Sequence, residues 1–403
     1  MAKTYPSKTI TWIYPNNNEP IGVGESLVPP VTDFLKNLGV DLTNLIRDCN
    51  GTIKLGIRFE NFNGDGDVFT FPFGAGSVDK YNTSSIDFMM KHDKISEDVM
   101  SYPDIAGHMR ATDILSFLDK QVDLYPNLKI YRTTVDIDKL PGTWDLLIDC
   151  TGFKQLVSSR GTENRVSIYD KIPNNQAFVY RHPYTDKSKQ LKPWTTVHAM
   201  DYGWIWHIPL GDRLAFGYVH PDKYDVKQDF IDYIESVMGE SIDPTAIETV
   251  KMRTGRSVVH LKNNIVPIGL ASCFIEPLES TGLYLTTAAV ERLCRYIDGE
   301  ITEDDYNEET NEDMDGIVDF IVAHYKYSKR NNEYWNHYKN VDINTYQDIS
   351  IFNKQSWDFI LSGFDESIKR PIEPIDPKEL INISRGLPYH EWHEKVKNAK
   401  NPT

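Results

Sequence analysis

The sequence predicts an α/β fold followed by a mainly helical C-terminal part, on three observations. Leu146 to Ile148 is a short, wholly apolar run of the kind that forms a strand in a parallel sheet. Several strand-like runs lie between Ala177 and Val219, close enough together to fold as an antiparallel sheet. After Leu283 the apolar period becomes helical, with helices expected near 283–298, 312–329 and 350–362. The 403 residues can bury a large core, and no repeat or clear linker divides them. The expected division is a core over 1–300 and a helical region over 301–403 packed on it.

In chain order, Thr9 to Tyr14 is β-branched and aromatic, a strand that runs into an Asn/Pro turn. Pro29 to Leu38 is a helix, with proline at its start and Gly39 just past its end. Ile53, Leu55, Ile57 and Phe59 alternate with Lys54, Gly56 and Arg58, a strand with one apolar and one polar face. Pro103 to Leu124 has helical periodicity. The acidic run from Glu300 to Asp315 reads as a solvated loop and helix entry.

A net charge of −16 argues against nucleic acid and anionic membranes as partners, because both would repel the chain. No apolar stretch approaches membrane-spanning length. Cys49, Cys150, Cys273 and Cys294 show no metal or redox spacing and read as reduced thiols of a cytoplasmic protein. The eleven histidines form no metal pattern, so no metal site is expected; His324 reads as structural. Richness in Asn, Asp, Lys, Ile and Tyr points to an AT-biased genome, viral or marine.

Residues 274–285, Phe-Ile-Glu-Pro-Leu-Glu-Ser-Thr-Gly-Leu-Tyr-Leu, are the most informative run. They follow a buried apolar segment and put a carboxylate, two hydroxyls and a glycine at a helix entry. Pro277 suits a first turn, Ser280 and Thr281 can cap, and the free N–H groups there form an anion site. A carboxylate beside an anion site is a conflict that points to chemistry. On these residues alone, a plain capped helix is the simpler account.

Three further runs accompany it: Ile-Gly-Val-Gly-Glu-Ser at 21–26, Trp-Asp-Leu-Leu-Ile-Asp-Cys-Thr-Gly-Phe at 144–153, and Gly-Trp-Ile-Trp-His-Ile-Pro from Gly203 to Pro209. This ordered set resembles the flavin-dependent tryptophan halogenases, from about Thr9 to the Leu361–Gly363 region. The Trp-x-Trp-x-Ile-Pro motif is highly specific to that family. The resemblance implies an FAD-binding monooxygenase-like fold, a three-layer nucleotide-binding part plus an antiparallel sheet. It implies FAD reduced by a separate flavin reductase, halide and O2 as co-substrates, and a small electron-rich aromatic substrate. A homo-oligomer is compatible with it. Relative to the family, the Gly-x-Gly-x-x-Gly opening unit of about 30 residues is expected to be missing upstream of the first strand.

Residue by residue, the resemblance puts the essential lysine at Lys54, which alone would read as a snorkelling surface lysine. Beside Gly56 it is expected to have room for a small molecule, and to hydrogen-bond hypohalous acid or be halogenated itself. Glu279, rather than Glu276, takes the carboxylate role: stabilising positive charge on the ring and removing its proton. Ser280 links the flavin side to the lysine side, and the Thr281 and Gly282 amides resemble the halide site. Gly22, Val23, Gly24, Glu25 and Ser26 resemble the flavin strap. Thr151, Gly152, Gly269 and Leu270 correspond to further flavin contacts. Trp204 and Trp206, two apart on a strand, share a face and would wall the flavin off from organic substrate; a plain core stripe accounts for them equally well.

Phe71, Pro72, Phe73 and Phe352 are the substrate-side residues. The family's Tyr-His-Pro-Phe sandwich is here Thr70-Phe71-Pro72-Phe73, and the late Tyr-Tyr-Gly…Glu segment that holds the amino-acid part of tryptophan has no counterpart between Trp335 and Trp357. Free tryptophan is therefore not expected as substrate. An aromatic hydroxylase and a non-catalytic flavoprotein relative are the alternatives. The tryptophan wall and the Lys54/Glu279 pair count against the first, and retained flavin would separate the last from both enzymes.

Overall fold

The computed structural model describes residues 1–15, 25–40, 42–64, 66–74, 80–134, 136, 144–158 and 164–399. In chain order the first half comprises β1 (Ile10–Tyr14), β2 (Glu25–Ser26), α1 (Pro29–Asn37), α2 (Leu42–Asp48), β3 (Thr52–Lys54), β4 (Gly56–Glu60) and β5 (Val68–Pro72). There follow α3 (Lys80–His92), β6 (Lys94–Ile95), β7 (Ala106–Met109), α4 (Ala111–Gln121), β8 (Leu128–Arg132), β9 (Leu147–Asp149) and β10 (Val166–Ser167). The sheet region adds β11 (Gln176–Pro183), α5 (Lys187–Gln190), β12 (Thr195–Met200), β13 (Gly203–Pro209), β14 (Arg213–His220), α6 (Lys227–Met238) and β15 (Glu248–Lys251). Short strands β16 (Gly255–Arg256), β17 (Ile265–Pro267) and β18 (Cys273–Phe274) lead into α7 (Gly282–Ile297), α8 (Glu303–Lys326), α9 (Glu333–Lys339) and α10 (Lys354–Phe364). The chain closes with α11 (Pro377–Arg385), β19 (Leu387–Pro388) and α12 (Tyr389–Lys397).

The expected antiparallel sheet is the centre of the molecule. Seven strands run in the order β15-β11-β14-β13-β12-β4-β5, antiparallel except where β4 joins β12 in parallel. In that sheet Trp206 faces Gly217 across β13 and β14, and a Cβ on Gly217 would fall 1.9 Å from the indole. Glycine is required there because the ring lies flat on the neighbouring backbone. The apolar Leu147–Asp149 strand does pair in parallel, with β17, and β1 pairs in parallel with β8. Helices α8 and α10 cover the β4–β5 end: Phe71 contacts Phe320 and Phe359, while Phe59 and Phe69 stack at 5.0 Å.

Four local expectations need correction. The helical period of Pro103–Leu124 holds only from Ala111. Ala106–Met109 is a strand between β2 and β3, where long-range pairing outweighs a local pattern. The Ile53–Phe59 strand is split in two and has no solvent face in its first part, since Thr52, Ile53 and Lys54 are all buried. The space that Gly56 leaves is taken by β5: a Cβ there would lie 2.3 Å from the Phe71 carbonyl, so the glycine serves strand packing. The acidic run is mostly helix, started by a reciprocal Thr302–Asp305 capping box, and its Asp313 is buried against Arg292 at 2.6 Å.

Candidate active site

β3 carries Lys54 into the interior, where its side chain has no solvent exposure. Its Nζ donates to Ser280 Oγ at 3.2 Å and stands 5.0 Å from the centre of the Phe73 ring. Burial pushes the ammonium down to about 7, with the Glu279 charge opposing the shift. Amine and ammonium are therefore both accessible near neutrality. Below the lysine lies a hydrogen-bonded row. His108 contacts Thr52 Oγ1 and Thr195 Oγ1 at 2.9 Å each, and Ser26 reaches Thr195 at 3.1 Å. Burial, then the Lys54 charge, holds His108 well below its ordinary value.

The 274–285 run delivers the other half. Pro277 sits in a turn ahead of the helix, not in its first turn, and Ser280 N bonds back to Pro277 O at 3.0 Å. Ser280 takes φ 59°, the left-handed conformation that non-glycine residues avoid. That conformation accompanies an Oγ bonded to Lys54 instead of capping α7. Thr281 occupies the N-cap position but its side chain caps nothing either. The first turn of a 16-residue helix is thus left with open N–H donors, and Gly282 adds no Cβ contact within 4 Å. Glu279 is 2% exposed, and His324 Nε2 from α8 lies 2.8 Å from its Oε1. His324 is the residue that sequence reading missed: it lies 45 positions from Glu279, and no spacing links the two.

The residues expected on the nucleotide side come together near the same helix. Asp149 at the end of β9 accepts from the N–H groups of Thr151, Val157 and Ser158 and from the Thr151 hydroxyl. Burial works to raise its carboxyl, but these bonds win and hold it below the usual range. The turn so fixed begins at Gly152 (φ 66°), which faces open space, and packs against a turn beginning at Gly269 (φ 66°). Gly269 in turn has only Thr286 Oγ1 of α7 near its absent Cβ, at 3.7 Å. Two left-handed glycines bordering free volume beside an open helix N-terminus fit the close backbone approach that a flavin nucleotide needs.

Trp204 and Trp206 are both buried, with ring centres 5.8 Å apart at 54°. The shared face expected for them holds, and it is also part of the main core. Of the aromatics expected on the substrate side, Phe73 faces the lysine, its ring centre 5.0 Å from Nζ. Phe71 and Phe352 meet instead at Phe320, the latter stacked at 3.9 Å. Leu270 is exposed at 39%. Ser26 pairs through β2 with β7, whereas Gly22, Val23 and Gly24 lie outside the described residues. A separate cleft of about 280 Å3 is lined by Arg58, Phe69, Lys91 and Arg370 among others and contains none of the expected site residues. Among the described residues no metal-like cluster occurs, and no helix is long and apolar enough to cross a membrane.

A family description built for tryptophan halogenases matches residues 1–121 and 137–368. The chain belongs to the tryptophan halogenase family. Its members are FADH2-dependent halogenating oxidoreductases that act on aromatic substrates with halide and O2 and draw on a separate flavin reductase, and this chain is a flavin-dependent halogenase. The 7-chloro-L-tryptophan 6-halogenase KtzR of Kutzneria sp. (strain 744) is 29% identical over 386 residues, covering 78% of this chain and 73% of the relative. The tryptophan 7-halogenase RebH of Lentzea aerocolonigenes is 25% identical over 399 residues, covering 82% and 74%. Among solved structures, the tryptophan 6-halogenase SttH of Streptomyces toxytricini superposes with a TM-score of 0.80 at 23% identity, covering 98% of this chain and 96% of its own. BrvH, a flavin-dependent halogenase from Brevundimonas sp. BAL3, gives 0.79 at 22% identity, covering 98% and 95%. At these identities the structures establish the shared fold.

Proposed function

We propose that this halogenase transfers halogen to neutral, electron-rich aromatics such as phenols, indoles or anilines, not to free tryptophan. The observation that carries the chemistry is a fully buried lysine amine next to a buried carboxylate: Lys54 is held by Ser280 at 3.2 Å and feels the Glu279 charge. FAD, when bound in its reduced form, supplies the electrons by which O2 and halide become hypohalous acid and water. Gly152, Gly269 and the start of α7 would hold it, with the tryptophan pair as its wall. The Thr281 and Gly282 amides receive halide. Lys54 holds the oxidant by hydrogen bond or takes the halogen on its nitrogen, and presents it to the ring above Phe73. The ring carbon forms its bond to halogen while the halogen–oxygen or halogen–nitrogen bond breaks. Glu279 stabilises the cationic ring and accepts its proton, which restores aromaticity.

The substrate reading rests on charge. Binding tryptophan specifically requires buried partners for an ammonium and a carboxylate, each costly to desolvate alone. The stretch between Trp335 and Trp357 carries no counterpart of the family's segment for that task. Bromide and iodide are easier to oxidise than chloride and are expected to react faster. Two measurements test the reading. Lys54→Ala should abolish halogenation while flavin reoxidation continues; product at the wild-type rate would refute the lysine's role. In a panel with one halide and one reductase, tryptophan should not lead in kcat/KM; a tenfold lead, about 1.4 kcal/mol, would refute the substrate class.

A further inference from the structure

His324 is fully buried in α8, with its ring 5.0 Å from that of Phe59 and 5.3 Å from that of Phe320. Its Nδ1 lies 2.9 Å from the Phe320 carbonyl, one helical turn earlier. A carbonyl only accepts, so Nδ1 carries a proton. The other nitrogen, Nε2, lies 2.8 Å from Glu279 Oε1. The contact is off the line of a well-formed hydrogen bond, and neither atom has another partner among the described residues. With a neutral ring and an ionised carboxylate, two lone pairs would oppose each other in a dry interior. A buried pair at this distance is stable only with a proton between them.

We propose that His324 is an imidazolium paired with the Glu279 carboxylate, a positioning residue that keeps the buried carboxylate ionised until it takes the proton of the halogenated ring. This rests on the reading of Glu279 as the base. In the step, the C–H bond at the halogenated carbon breaks, its electron pair returns to the ring, and the proton goes to Glu279 Oε2. No donor holds that oxygen among the described residues. The pair then carries two protons and a net positive charge beside Lys54, which favours return of one proton to solvent as product leaves. Among the described residues, the other charged or titratable groups facing the pair are Lys54 from β3 and Glu276 from the same loop as Glu279, the latter bonded by the Tyr325 hydroxyl and Asn174. Glu276 cannot substitute for His324, since it has no positive form.

Two experiments decide it. Nitrogen-15 NMR of the whole enzyme with labelled histidine reads the ring directly. The His324 signal, assigned by its absence from His324→Gln and its change in Glu279→Gln, should show both nitrogens protonated between about pH 6 and 8, and a neutral ring in Glu279→Gln. A neutral His324 in the wild-type enzyme overturns the proposal. In single-turnover halogenation, His324→Gln should move the acid limb of the rate upward by about one pH unit, a tenfold loss near the limb, with flavin reoxidation unchanged. An equal loss at every pH, with the limb unmoved, marks His324 as merely structural. Wild-type halogenation by Glu279→Gln would defeat the base assignment itself, an outcome separate from either result on His324.

Discussion

Glu276 and Glu279 lie in one loop with only Pro277 and Leu278 between them, both buried, yet the fold gives them opposite surroundings. Glu276 is enclosed by neutral donors. The Tyr325 hydroxyl and Asn174 Nδ2 (2.6 Å) bond it, Tyr334 backs Asn174 at 3.1 Å, and the Trp204 indole stands near without a formed hydrogen bond. Burial raises it to about 7 against those bonds. Glu279 instead faces His324 and the field of Lys54. Burial among neutral donors thus raises the Glu276 carboxyl, whereas Glu279 lies beside groups that can carry positive charge. The network around Glu276 anchors the loop, whereas among the described residues no donor holds Glu279 Oε2.

The sharpest way to break this comparison is to neutralise each glutamate in turn. Glu279→Gln should lower the rate of halogenation by about 10²–10⁴, with flavin reoxidation intact, whereas Glu276→Gln should cost less than about tenfold. Similar losses in both would show that the surroundings do not separate their roles.

Lys54→Met should remove activity and raise stability, because an apolar chain replaces a buried charge. The folded pKa of Lys54 lies below the usual 10.5, so the native state binds fewer protons than the unfolded chain between about 7 and 10.5. The gain, about 2–4 kcal/mol, should be complete below pH 7 and fade as pH rises toward 10.5. Denaturant melts across that range would show it, and a pH-independent difference would contradict the buried-ammonium account.

Glu276→Gln tests the opposite sign. Its carboxyl keeps a proton from about 4.5 up to about 7 in the native state, so wild-type stability falls as pH rises through that window. The amide should be neutral in effect below 4.5 and stabilising by about 1–3 kcal/mol above 7. The smallest effect is expected for Phe73→Leu, which removes the ring 5.0 Å from the Lys54 ammonium. About 0.5–1 kcal/mol of cation–π stabilisation should be lost, lowering the Lys54 pKa further by less than one unit in a pH–rate profile.

Much of the fold and half of the site were legible along the chain. The strand runs of 177–219 and the helices after 283 have periods that survive any packing, and Lys54, Glu279, Ser280 and the glycine turns were picked out by the family resemblance. The stretch Ala106–Met109 was not legible, because the helical period of Pro103–Leu124 runs through it and only pairing with β2 and β3 makes it a strand. Nor was Ser280's freedom from capping, which follows from a lysine 226 residues away.

By itself the sequence determined the elements with their own period, the tryptophan pair on one strand face and the carboxylate–hydroxyl–glycine entry to α7. These depend on residues a few positions apart, which local backbone geometry couples. Tertiary structure alone decided that Lys54 is buried and that His324 stands against Glu279 and not against Glu276. Burial and proton sharing are properties of contacts between distant segments, and no local pattern encodes which lone pair a folded helix turns toward which carboxylate.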